Sequence, residues 1–155
     1  MYAANYAVER WGPVSVGFGL MAPAGVYFAG LAFTLRDVVQ RTLGKYVAGA
    51  AILVGAALSW QISPSLATAS AVAFLVSELA DLVVFTLLER HSLLAALVAS
   101  NVVGLVIDSI VFLSIAFGSL EFFRGQVVGK GWMTLAALPV VLLLRRIPIE
   151  REPGA

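Results

Sequence analysis

Apolar residues in this chain come in long runs, and the polar positions that interrupt them are few enough to list. The stretches from Gly12 to Leu35 and from Tyr46 to Ser77 carry no charge at all. Each is long enough for a helix of about 20 residues to cross a bilayer. Further on, Leu66 to Leu88, Ser92 to Phe117 and Val127 to Leu144 are broken only by Glu78, Asp81, Asp108 and Lys130. The pattern predicts five complete spans, at 14–35, 46–62, 66–88, 92–117 and 127–144. Residues 1 to 11 are apolar enough for membrane but too short to span, and read as the last turns of a truncated helix that ends at Trp11 and Gly12-Pro13. The expected fold is an all-α integral membrane protein. A single transmembrane domain covers 1–144, and a charged, proline-punctuated cytoplasmic tail covers 145–155.

The first span is unusual. Gly17, Gly19, Gly25 and Gly30 crowd it and Pro23 stands in its middle. Proline removes a helix hydrogen bond and clashes with the preceding turn, so a break is expected between Met21 and Ala24. Such a break either lines a cavity with freed backbone groups or is a packing kink held by small residues.

Composition supports the membrane reading. The chain is 61% hydrophobic and 12% charged, against roughly 25% charged in a soluble domain, and its mean hydropathy is +0.97. A net charge of +1 argues against a nucleic-acid-binding surface. The absence of cysteine removes disulfides and thiolate chemistry. No cleavable signal peptide is expected, because MYAANYAVERWG has no basic segment followed by an apolar core.

Charge also sets the orientation. Alternating the five spans puts Arg36, Arg41, Lys45, Arg90, Arg145, Arg146 and Arg151 on one side, seven of the ten lysines and arginines, and leaves Arg10, Arg124 and Lys130 on the other. The richer side is cytoplasmic by the positive-inside rule, and Trp11, Trp60 and Trp132 then mark the outer interface.

Candidate chemistry lies between Ser77 and Gly118. Glu78 and Asp81 stand three apart and share a helix face. Asn101, Gly104, Asp108 and Phe112 follow a three-then-four spacing and share another. Carboxylates inside a span must face the bundle interior or a wet cavity, so the two faces are expected to meet across one pocket. No base stands beside these acids in the sequence, and Lys130 is the nearest candidate. Surplus acceptors invite a donor-rich ligand or a cation, and cross-linking of helices by hydrogen bonds is the other use for them. Enzyme chemistry is not expected. The only histidine, His91, lies in a turn, so neither a histidine metal site nor a serine–histidine pair is available, and there is no phosphate-binding loop to hydrolyse ATP.

SELADLVVF, NVVGLVIDSIVFLSIAFG and KGWMTLAALP, in that order, resemble segments of the VUT family of queuosine precursor transporters. AGVYFAGLAFTLRDVVQRTLG resembles that family's second helix and following loop. The resemblance runs from Asn5 to Pro139. It departs from the family at Gln40 and Arg41, where a glutamate is common, and in having only the last turns of the first helix. It implies a six-helix inner-membrane protein that imports 7-deazaguanine precursors of queuosine, a tRNA modification, such as preQ0 (7-cyano-7-deazaguanine) and preQ1.

A deazaguanine presents adjacent N–H donors, a carbonyl acceptor and a flat face. Glu78 or Asp108 suits the donors; Asn101, Gln126 or Lys130 suits the carbonyl; Phe74, Phe112 or Trp132 suits the face. Asp81, one turn from Glu78, is expected to carry protons or support the site. No cofactor and no metal are expected; the expected partners are the purine-like substrate, membrane lipid and a second copy in a homodimer, with no nucleic acid. The alternatives are a substrate-binding subunit of an energy-coupled vitamin uptake system and a non-transport assembly protein of the membrane.

The orientation is checked by cysteine labelling, which the cysteine-free chain makes clean. A cysteine placed at His91 should resist an impermeant thiol reagent in intact cells and react only once the membrane is opened. Labelling in intact cells would reverse the assignment.

Overall fold

The computed structural model describes residues 1–88 and 90–144. Glu89, the tail 145–155 and the side chains of Arg36, Asp37, Arg41 and Lys45 lie outside the described residues, and with them most of the charges on which the expected orientation rests. In chain order the elements are α1 (Tyr2–Trp11), β1 (Pro13–Gly17), β2 (Leu20–Pro23), α2 (Val26–Leu43), α3 (Lys45–Trp60), α4 (Pro64–Leu88), α5 (Leu93–Phe117) and α6 (Phe123–Leu144).

The later helices begin and end close to where the apolar runs place them, for local reasons. Ser92 caps α5, its hydroxyl accepting from the Ala95 N–H at 3.3 Å, and Gly118 ends it in the left-handed conformation. Ser63 does the same at the start of α4, accepting from the Leu66 N–H. Among the described residues, α4 and α5 are the two helices long and apolar enough to cross a membrane, with stretches of mean hydropathy 2.1 and 2.0. Their lengths of 25 residues each correspond to about 37 Å at 1.5 Å per residue. The 16 residues of α3 reach only about 24 Å. Some serine hydroxyls inside these helices donate to their own backbone, as in Ser59 to the Gly55 carbonyl and Ser109 to the Leu105 carbonyl.

The first expected span, 14–35, does not form, and the fold is not all-α. The chain does break at Pro23, but the piece before it is an antiparallel hairpin rather than a half-helix. Pro13 pairs with Pro23, Val14 with Ala22, Ser15 with Met21 and Gly17 with Leu20, with an irregularity between Ser15 and Gly17. Gly17, Phe18 and Gly19 all take positive φ, at 95°, 55° and 71°, a turn no helix can contain. Val14 and Val16 point inward while Ser15 and Gly17 face out. This period of two is invisible to a hydropathy average but is a strand signal. Val16 and Ala22 pack with Val26 into a small core that Leu20, Tyr27 and Val128 cover.

A two-stranded hairpin leaves backbone groups unpaired on its edges, which is costly in an apolar setting. Here side chains reach them: the Trp132 indole N–H donates to the Val16 carbonyl at 3.0 Å and the Tyr27 hydroxyl to the Ser15 carbonyl at 3.1 Å. Phe18, at the turn, stacks on Trp132 with ring centroids 6.1 Å apart.

Helix α6 lies directly against this hairpin and against α2, and small residues make that possible. A Cβ added at Gly125 would overlap the Met21 carbonyl oxygen, and one at Gly30 would come within 2.8 Å of Met133 Cβ and 3.1 Å of Lys130 Cα. Close backbone approach through small residues is how helices associate where the surroundings are as apolar as the side chains. Gly125→Ala should therefore destabilise the protein by at least about 1–3 kcal/mol through overpacking. Gly131→Ala, in the same helix with nothing within 4 Å, should be neutral or raise stability by up to about 1 kcal/mol. Thermal melts of the two variants in one detergent check this, and equal melting temperatures would refute the packing argument.

Candidate functional site

Helices α1 to α6 and the end of β2 line a half-open cavity of about 300 Å³. Its wall is mostly apolar. Pro23, Gly25 and Val26, at the break after the hairpin, form part of it, so this break is of the cavity-lining kind. Phe74 from α4 and Phe112 from α5 add two aromatic rings. The polar part of the lining is Asn5, Ser70, Asp108, Gln126 and Lys130.

The strongest interaction in this group joins α5 to α6. Lys130 Nζ donates to Asp108 Oδ2 at 2.5 Å and to Ser109 Oγ at 2.8 Å, and the Ser109 hydroxyl in turn donates to the Leu105 carbonyl at 2.8 Å. Lys130 is 1% exposed and Asp108 8%. A buried ammonium or carboxylate alone is expensive, while a hydrogen-bonded pair is net neutral and retains its donors and acceptors. The expectation that no base stands beside the seam acids is thus corrected for Asp108. Lys130 is 22 residues away in sequence, and only the antiparallel return of α6 brings it alongside.

The cavity is lined by part of the predicted site only. Phe74, Asp108, Phe112, Gln126 and Lys130 line the cavity; Glu78, Asp81, Asn101 and Trp132 are not among its lining residues. The faces of α4 and α5 do meet, but in contact: a Cβ on Gly104 would lie 3.5 Å from Asp81 Cβ and 3.6 Å from the Ser77 carbonyl oxygen. Glu78 and Asp81 are half-buried there, and Asn101 is exposed. Sharing a helix face is not sharing a depth. Asn101 and Asp108 are seven residues apart, about 10 Å along the axis, which puts them in different layers of the bundle. Trp132 serves the hairpin instead, through its hydrogen bond to Val16 and its stack on Phe18.

Sequence reasoning missed Asn5 and Ser70. Ser70 shares a three- and four-residue spacing with Phe74, Ser77 and Asp81 on α4, a signal that was available. Asn5 had only its isolation as a polar residue in a short apolar segment. The Ser70 hydroxyl donates to Asn5 Oδ1 at 2.9 Å, tying α1 to α4. Asn5 Nδ2 and Gln126 Oε1 are buried with no hydrogen-bond partner among the described residues. Among the described residues, no group of histidine, cysteine, aspartate and glutamate is arranged to hold a metal ion.

The ion pair can be tested by stability. Asp108→Leu or Lys130→Met alone leaves an uncompensated buried partner and should cost about 3–5 kcal/mol. The double variant Asp108→Leu/Lys130→Met removes both charges and should recover most of that loss. Additive costs in a double-mutant cycle of unfolding free energies would show that the two residues are not coupled.

No curated protein and no solved structure matches the chain. A family model does: the one described as "Putative vitamin uptake transporter" matches residues 59–144, more than half of the chain. The match runs from the end of α3 through α4, α5 and α6, the helices that supply Ser70, Phe74, Asp108, Phe112, Gln126 and Lys130 to the cavity. With this match and with two helices able to cross a bilayer, the chain is a membrane protein and belongs to this family of vitamin uptake transporters.

Proposed function

We propose that this protein is a multi-pass inner-membrane transporter that imports a queuosine precursor, a 7-deazaguanine such as preQ0 or preQ1, through the cavity between α1 and α6. The observation that carries this reading is the cavity's combination of size and lining. At about 300 Å³ it stands at the small end of ligand pockets, suited to one bicyclic ring system rather than to a nucleotide. Phe74 and Phe112 offer flat apolar faces for stacking. The Asp108–Lys130 pair and the amides of Asn5 and Gln126 offer hydrogen-bonding groups to the edges of the ring.

In this reading Phe74, Asp108, Phe112, Gln126 and Lys130 touch the substrate. Asp81 and Asn101, about 10 Å along their helices from Phe74 and Asp108, and Glu78, about 6 Å from Phe74, form a second polar layer through which protons could accompany transport. The hairpin and its aromatic residues face the outer interface, and the loop between α4 and α5 the cytoplasm.

Two measurements test the assignment. This chain alone should restore growth of a strain that cannot import the precursor. Rescue only when an ATPase module is supplied would make it the binding subunit of an energy-coupled uptake system instead. In purified protein, Phe112→Ala should weaken binding of preQ0 by roughly 3- to 10-fold through loss of stacking, while Glu78→Gln leaves affinity within about twofold because its layer lies apart. The opposite ranking would move the binding site to the acidic layer, and binding of no deazaguanine by the wild-type protein would end the reading.

A further inference from the structure

Two residues that line this cavity each bury a side-chain polar atom without a hydrogen-bond partner among the described residues. Asn5 is 1% exposed and Gln126 2%, and both side chains line the cavity. Asn5 commits its carbonyl oxygen to the Ser70 hydroxyl, which leaves Nδ2 as an unpaired donor. Gln126 leaves Oε1 as an unpaired acceptor. Buried polar groups are nearly always paired, and each exception costs the full desolvation penalty of that group. Here there are two exceptions of opposite hydrogen-bonding sense, on one cavity wall system, from helices at opposite ends of the chain.

Their positions are held by the backbone. A Cβ on Gly25 would come within 2.5 Å of the Ala4 carbonyl oxygen and 2.8 Å of Val8 Cγ2, so α1 rests on the turn after the hairpin with Asn5 beside it. Gly125 brings α6 against Met21 on the other strand side of the same turn, and Gln126 follows it. The backbone of both residues is thus held next to the hairpin and the turn that follows it, and both residues line the same cavity as Pro23, Gly25 and Val26.

We infer that Asn5 and Gln126 are specificity-determining residues that read one polar edge of the ligand, the Asn5 side-chain N–H donating to a ligand carbonyl and the Gln126 side-chain carbonyl accepting from a ligand N–H. The ligand class this selects is a neutral planar heterocycle with a cyclic amide edge, in which a carbonyl acceptor and a ring N–H donor are neighbours. The inference deepens the transport reading and rests on it. It also gives Gln126 a different role from the donor role its residue type first proposes: the amide accepts. A site with buried groups set to pair with an edge discriminates strongly against analogues without that edge, because its own groups are then left unpaired.

The probe pair is preQ0 and 2-amino-7-cyano-7-deazapurine. The second compound lacks the ring carbonyl and, through the change of ring tautomer, the neighbouring N–H as well. It thus withdraws the partner of Asn5 and the partner of Gln126 together. Purified full-length wild-type protein should prefer preQ0 by roughly 100-fold or more. In Asn5→Leu and in Gln126→Met that preference should fall about 10-fold each, by loss of preQ0 affinity and not by gain for the analogue. Gln126→Met removes an unpaired buried acceptor, so its melting temperature without ligand should equal or exceed that of the wild type, which separates lost recognition from lost folding. If the wild-type protein binds preQ0 but shows no preference, or if Gln126→Met and Asn5→Leu keep the full wild-type preference, the inference is overturned while the transport reading stands. If the wild-type protein binds neither compound, the transport reading falls and this inference with it.

Discussion

The structure turns on a buried ion pair, Asp108 with Lys130, which joins α5 to α6. A lysine in an apolar bundle must find an acceptor or be excluded from it, and the acceptors here sit on one turn of α5. Satisfying Nζ with both Asp108 and Ser109 sets the register of α6 against α5. That register in turn decides which residues of α6 meet the hairpin. Lys130 stands beside Gly129, against Val26, and its backbone lies under Gly30, so the same turn of α6 that holds the charge also makes the closest approach to α2. Electrostatic pairing on one side of the helix and small-residue packing on the other are satisfied by one placement.

The hairpin depends on that placement. Two strands alone in an apolar environment would be unstable, both for lack of area and for their unpaired edges. They persist because α6 covers them with Gly125, Val128 and Trp132 and because Trp132 and Tyr27 donate to their carbonyls. Once in place, the hairpin delays the start of α2 to Val26, and the turn at Pro23 to Gly25 becomes cavity wall instead of helix interior. The cavity is thus a consequence of a short irregular element inserted where a full-length helix would otherwise have filled the space.

Polar groups in the bundle fall into two layers with different character. The layer of Asn5, Ser70, Asp108, Gln126 and Lys130 surrounds open space and carries both signs of charge. That of Ser77, Glu78, Asp81 and Asn101 lies further along α4 and α5, with Ser77 and Asp81 against Gly104, and is acidic. Membrane helices retain ionisable residues where substrate or protons pass, and a paired layer beside a separate acidic one is compatible with binding and coupling at different depths of one transporter.

The amino-acid sequence by itself determined the membrane class, the helices α3 to α6 and the choice of Asp108, Phe74, Phe112, Gln126 and Lys130 as residues of interest. These are properties of local composition: apolar length sets a helix, and a charge within it marks a site. The short α1 and its end at Gly12 were equally legible, because Gly-Pro stops a helix wherever it occurs. The tertiary structure decided the rest. Whether 13–23 is helix or hairpin depends on α6 covering the strands, a contact more than 100 residues away in the chain. Whether Asp108 is a lone acid or one half of an ion pair depends on the return of α6. Helical spacing placed Asn101 and Asp108 on one face and about 10 Å apart along it, but which of the two lines the cavity and which lies outside it was decided only by how the other helices pack around α5. Asn5 entered the site because α1 folds back across the turn at Gly25 and is tied to α4 by the Ser70–Asn5 hydrogen bond, contacts between segments far apart in the chain.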